Sequence, residues 1–289
     1  MNTININSDK CILCGTCEEV CVRRIFSLAE NALTLTEPES CILCGHCKAA
    51  CPEDAIEIPA LDPSEFLPVP QKDEIPAPAM LMNLFRVRRS TRIYKDMPVE
   101  REKLEQIIQA ARFAPTGGNL QALRYVVVHT PEKVKAVRGL TIKALTQYGK
   151  TLEKAMENAP EDQKAAMTGN RMVNYLQMFK RAEADYEKGM DRILWDAPAL
   201  IVTHVSNLVE NPGVDVGLAG MQMALMAESL GLGSCFIGLL IMAATYSREL
   251  RGELMIPENH KTVTSLVCGY PDITYQTLVG RNKEKVRWL

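Results

Sequence analysis

The sequence predicts a small cysteine-rich domain followed by a larger α/β or α+β domain built on one central sheet. Three observations predict it. The phrase "CILCGTCEEVC", Cys11 to Cys21, returns thirty residues later as "CILCGHCKAAC", Cys41 to Cys51. A segment broken by Pro59, Pro63, Pro68, Pro70, Pro76 and Pro78 follows. Beyond it, segments of helical period alternate with short apolar runs of strand type, the pattern of helices covering a sheet.

The cysteine phrase comes first. Both copies read C-x2-C-x2-C-x3-C, and eight of the ten cysteines lie within the first 51 residues. The N-terminus "MNTININSDK" is polar and reads as no signal peptide, which favours a reducing compartment and metal ligation over disulfides. Structural zinc sites usually draw on separated cysteine pairs, whereas compressed phrases suit an iron–sulfur cubane. In that arrangement three thiolates of one loop grasp a cluster and the fourth reaches the other. One [4Fe-4S] cluster is then ligated by Cys11, Cys14, Cys17 and Cys51, and the second by Cys41, Cys44, Cys47 and Cys21. A single cubane with a degraded site, or zinc, are the competing readings. Gly15 and Gly45 relieve the crowded turns. His46 reads as a surface residue, and Cys235 and Cys268, in apolar runs, as inert core.

The proline-broken stretch forbids a continuous helix and reads as an extended tether. This divides the chain into residues 1–60, a linker over 61–79, and a large domain over 80–289. Within the large domain, "VEREKLEQIIQAARFA" places Leu104, Ile107, Ile108 and Ala111 at helical spacing before the breaker "PTGGN". "LRYVVVHT" reads as a strand and "PEKVKAVRGL" as a helix entered through Pro131. Residues 141–195 are charged and helix-prone, with a break near "NAPED". "ALIVTHVS" is a strand. "DVGLAGMQMALMAESLGLG" is a helix ended by Gly231 or Gly233, leading into the strand "SCFIG"; "KTVTSLVCGYP" supplies another strand before a basic tail. Met221, Met223 and Met226 read as flexible packing. The helix is apolar round much of its circumference, so burial on several sides, as at a subunit interface, is expected.

Four ordered segments carry chemistry. "RRSTRIY" crowds Arg88, Arg89, Ser90 and Arg92 after an apolar helix. "APTGGNLQ" sets Thr116, Asn119 and Gln121 in a glycine-rich loop. "GLGSCFIG" brings small residues up to Gly238 and Leu239, and "GYP…RNK" returns Arg281 and Lys283. Each has a plainer reading: a solvated helix end for the arginines, a turn residue for Asn119, a basic tail for Arg281 and Lys283.

Residues 1–60 resemble a bacterial-type ferredoxin with two [4Fe-4S] clusters, departing from its pattern at Val22, where proline is usual. Residues from about 80 to 289 resemble the FMN-dependent nitroreductase superfamily, and the whole chain its ferredoxin-fused branch. The resemblance implies an α+β fold, a central sheet flanked by helices, in an intertwined homodimer with FMN at the subunit interface. It further implies that Arg88, Arg89, Ser90 and Arg92 bind FMN phosphate, ribityl chain and ring edge, and that Arg281 and Lys283 form a second phosphate clamp. Thr116, Asn119 and Gln121 match the loop reaching the flavin from the neighbouring subunit. The backbone near Gly238 and Leu239 matches the segment whose amide contacts flavin N5. No catalytic side chain emerges from the motifs, as suits flavin-centred chemistry.

The implied function is an FMN- and iron–sulfur-dependent oxidoreductase, passing electrons from the clusters to FMN and on to a nitroaromatic, quinone or activated alkene. Its donor would be a ferredoxin-like protein or NAD(P)H. Two other readings stand beside it: an electron-transfer module serving a partner protein, and a flavin-modifying enzyme. The 289 residues carry a net charge of −2, which advertises no nucleic acid. No apolar run approaches the roughly 18–20 residues of a membrane span, and the expected location is the cytoplasm. Residues 1–60 carry −5 and the remainder +3, so the small domain offers either a solvated acidic surface or a docking face.

Overall fold

A computed structural model describes residues 4–160 and 170–289. The chain groups into two compact units. One comprises Met1–Pro76 and Thr116–Leu120, the other Ala77–Pro115 and Gln121–Leu289.

The first unit is a folded repeat. Strand β1 (Asn5–Ile6) pairs with β4 (Ile56–Glu57), and β2 (Phe26–Ala29) with β3 (Ala32–Leu35), both antiparallel. Helices α1 (Thr16–Val20) and α2 (His46–Ala49) each start after a left-handed glycine, Gly15 and Gly45. The equivalence runs deeper: Leu13 and Leu43, and Arg24 and Asp54, thirty residues apart, also share positive φ. A side chain at Gly15 or Gly45 would be strained by φ near +77°. Ile4, Ile25, Phe26, Ile56 and Ile58 pack with Cys17 and Cys47 as a small core.

The second unit is a three-layer sandwich. Its sheet runs β5 (Arg124–Val128), β6 (Ala199–Ser206), β8 (His260–Gly269), β7 (Gly233–Phe236), with every neighbour antiparallel. Alternate residues of β6 enter different cores: Leu200 and Val202 one, Ala199 and Ile201 the other. This is the period of two expected of a strand covered on both faces. The first core also takes residues from α5 (Pro131–Glu157), α6 (Asn170–Glu187), α8 (Gly238–Tyr246) and α9 (Arg248–Glu253). The second takes α4 (Arg101–Arg112) and α7 (Gly213–Ser229). Helix α3 (Pro78–Val87) packs against α7.

Several expectations are met closely. The first break in the charged stretch falls at Asn158, the C-cap of α5. Helix α7 stops at Ser229, followed by Gly231 at φ +74°. Two differ. The helix entered through Pro131 runs for 27 residues, because Val134, Val137, Ile142, Ala144 and Leu145 bury one stripe against the sheet well past "PEKVKAVRGL". The strand "SCFIG" ends at Phe236, because helix α8 starts at Gly238. Among the described residues no helix is long and apolar enough to cross a membrane.

Candidate functional site

The two cysteine loops lie in the first unit, each leading into a short helix. All ten cysteines are unpaired thiols. Cys47 is buried, and the nearby Cys44, Cys41 and Cys21 add their charge to burial in pushing its thiol up to about 11. Those four are the set anticipated for one cubane, with Cys21 crossing from the other phrase. Cys17 is raised likewise, by burial first and then by Cys11 and Cys14. Iron bound there would reverse the preference, since a coordinated thiol ionises outright. Cys14, by contrast, is lowered by its hydrogen bond with Thr16. Two backbone amides point at sulfur, Leu43 N–H at Cys41 Sγ (3.4 Å) and Ala55 N–H at Cys51 Sγ (3.2 Å). Such bonds tune cluster potential. Among the described residues no three metal-binding side chains converge on a single ion. His46 is exposed and Cys268 fully buried, its thiol pushed up to about 12.

Three of the four segments in the second unit meet. Thr91 N–H donates to Ser234 O (2.9 Å), and Ser90 bridges Ser234 in parallel, laying "RRSTRIY" along β7. On its other side, Lys95 N–H donates to Tyr270 O (2.8 Å) and Asp272 N–H to Ile93 O (3.0 Å), which ties in "GYP". Gly233 is required by this approach: a Cβ there would stand 2.5 Å from Thr91 Oγ1.

The predicted residues divide between two cavities. Arg92, Gly238 and Leu239 line one of about 600 Å³. Arg89 and Thr91 line another of about 440 Å³ with Glu228, Tyr275 and Thr277. There Arg89 lies 3.8 Å from the Tyr275 ring centroid and donates to Thr277 O (3.4 Å). Burial raises Glu228, opposed by Arg88 and Arg89. Arg88 Nε is buried with no acceptor among the described residues, a donor suited to a phosphate oxygen. Helix α8 begins at Gly238 without a side-chain cap, and its first two residues, Gly238 and Leu239, line the larger cavity. These features suit an anionic, amide-seeking cofactor.

Other predicted residues lie elsewhere. Asn119, in the segment grouped with the first unit, donates from Nδ2 to Ile42 O (3.0 Å) and Leu43 O (2.9 Å), inside the second cysteine loop. Gln121 O accepts from Arg124 (3.1 Å). Arg281 and Lys283 are exposed, and Arg281 donates to its neighbour Gly280 O (3.4 Å). Neither pairs with Arg88–Arg92 among the described residues.

Sequence reasoning missed Arg181, Arg192 and Trp195, which line the larger cavity with Arg92. Asn174, Gln177, Met178, Arg181, Ala182 and Asp185 do so from α6. Their three-and-four spacing was the available signal.

Fold and sites together define a twin-cysteine cluster-binding unit joined to an α+β unit with cofactor-sized cavities beside a helix N-terminus. Residues 85–270 match the Nitroreductase family and residues 10–56 match a 4Fe-4S dicluster domain. The first match spans more than half the chain, and the chain belongs to the nitroreductase family. It is similar to an FMN reductase (NADPH) of Bacillus subtilis strain 168, 26% identical over 189 residues, which are 63% of this chain and 62% of the relative. An FMN reductase (NAD(P)H) of the same strain is 27% identical over 183 residues, again 63% and 62%. The chain thus spans 62% of the length of these relatives. Its fold is similar to a nitroreductase with bound FMN from Desulfitobacterium hafniense DCB-2 (TM-score 0.53, 24% identity, 72% of this chain and 97% of that one). An FMN-dependent nitroreductase from Clostridium difficile R20291 has a TM-score of 0.51 at 17% identity, over 71% and 97%.

Proposed function

We propose that this chain is an FMN- and iron–sulfur-dependent oxidoreductase that carries electrons from two [4Fe-4S] clusters to a small organic acceptor. The observation that carries this reading is the pairing of Ser90 and Thr91 with Ser234 of β7 and of Ile93–Lys95 with Tyr270–Asp272, while Arg92, Gly238 and Leu239 share one cavity. FMN, when bound, supplies storage of two electrons delivered singly and released as a pair. The residues around it bind and orient. Arg88 and Ser90 serve the phosphate and ribityl chain, Arg92 the ring edge, and the Gly238–Leu239 backbone the reacting face. Arg89, Thr116, Asn119, Gln121, Arg281 and Lys283 belong to the same proposal as further cofactor contacts, the loop residues acting from a second copy.

Cys11, Cys14, Cys17 and Cys51, and Cys41, Cys44, Cys47 and Cys21, hold the clusters. NAD(P)H, named for the two Bacillus relatives, or a ferredoxin-like protein is the donor, with the acidic first unit suited to a protein donor. A homodimer completes the flavin site, supported by the apolar faces of α3 and α7 that this chain leaves exposed. The two cluster-type cysteine phrases support a reducing compartment, and the cytoplasm fits.

The test replaces Cys17 and Cys47 with serine. Flavin content should be retained while reduction of the flavin by reduced ferredoxin slows at least about a hundredfold. Wild-type reduction by ferredoxin in a cluster-free variant would overturn the electron path. Rapid bleaching by NADPH in both proteins would show that the nicotinamide reaches the flavin directly.

A further inference from the structure

Helix α6 turns one face to the larger cavity, and the turn that follows it adds Arg192 and Trp195. Its charges do not balance. Arg92, Arg181 and Arg192 face a single carboxylate, Asp185. That carboxylate stands 3.7 Å from Arg192 Nε, beyond hydrogen-bond distance, so most of the guanidinium's donors stay available. Arg181 is exposed and makes no ion pair among the described residues. The same cavity is lined by apolar side chains as well, Trp195, Ile193, Ile237 and Met178. Arg92 sits 5.6 Å from the Trp195 ring centroid.

A cavity that brings guanidinium groups together with an indole ring and aliphatic side chains favours a planar molecule that carries negative charge at its edge. Aromatic walls take the ring, and arginine grips a carboxylate through paired hydrogen bonds that a neutral amide cannot replace. We infer that Arg181 and Arg192 form an anion-selecting wall, and that the acceptor of this enzyme is a planar aromatic or quinonoid carboxylate. The inference rests on the oxidoreductase reading above, in which Arg92 serves the cofactor and the other two arginines remain for the acceptor. A row of arginines merely solvating a helix would give no such selectivity.

The test is calorimetric binding of 4-nitrobenzoate and of the isosteric 4-nitrobenzamide to the full, cofactor-loaded protein. The carboxylate should bind at least about tenfold more tightly at low ionic strength, a preference that fades with added salt. The double variant Arg181→Gln, Arg192→Gln should bind both compounds within about twofold of each other while keeping its flavin. Equal binding by the wild-type protein, or a preference surviving in the variant, overturns the inference. Loss of flavin from the variant also overturns it, by placing these arginines on the cofactor. Failure of the oxidoreductase reading looks different. Photoreduced protein would then be reoxidised by neither compound, while carboxylate-selective binding persisted and upheld the anion wall.

Discussion

The Asp191 carboxylate, almost wholly buried, accepts from Ile193 N–H (2.8 Å), Leu194 N–H (2.9 Å) and Asp196 N–H (3.2 Å). Arg138 stands 3.5 Å away and also pairs with Asp196. These bonds hold a turn in which Trp195 and Asp196 both take positive φ, an uncommon conformation for side-chain-bearing residues. The turn delivers Arg192 and Trp195 to the cavity. Asp191→Ala would orphan two buried amides and one partly buried one, each bond worth about 1 kcal/mol, and should destabilise the protein by about 2–3 kcal/mol in urea unfolding. Asp191→Asn keeps one acceptor oxygen and should cost less. Equal stability of wild type and alanine variant would dismiss this account. Nothing in "DRILWDAP" marked Asp191 as the keystone, because its partners are backbone groups whose direction appears only once the turn has formed. Asn119 illustrates the same limit. Its loop chemistry was legible, yet its carbonyl partners, Ile42 and Leu43, lie more than seventy residues away in sequence.

Elements were more legible than residues. Strand β6 coincides with "ALIVTHVS" because a strand covered on both faces must be apolar throughout, and β-branched side chains favour it. Helix α6 was readable as helix-prone and as part of a stretch over the pocket, but its individual lining residues were not, since its stripe mixes Arg181 and Asp185 with Met178 and Ala182. The sequence also showed that α7 is apolar round most of its circumference. Within this chain Met223 is fully buried, but Leu218 and Met221 remain about two-fifths exposed. Helix α3, packed against α7, exposes Met80, Met82 and Phe85. A contiguous apolar surface of this kind marks an association site, and a second copy is its proposed occupant. Leu218→Glu with Met221→Glu should convert a dimer to a monomer by light scattering and lower the bound FMN per chain. A wild-type protein that scatters as a monomer would remove the dimer from the proposal.

The two units of the molecule stand on different energetic footings. The second has two cores, one on each face of a four-stranded sheet, enough to fold on hydrophobic burial. The first has two-stranded sheets, helices of five and four residues, and a core of five apolar side chains and two cysteines. Isolated two-stranded sheets and single-turn helices are marginal in water, and small domains of this kind need staples. With no disulfide among ten cysteines, the staples available are the clusters, and binding energy released there is folding energy. The duplicated phrase was legible as a cluster motif; that the same residues also decide the stability of the unit emerges only from the small size of its core. Anaerobic iron removal by chelator and mild oxidant should make residues 1–76 cleavable by protease at least about tenfold faster. A fragment beginning near Ala77 should resist, retaining most of the helical circular dichroism. Undiminished resistance of residues 1–76 after iron loss would show that the small core suffices without clusters.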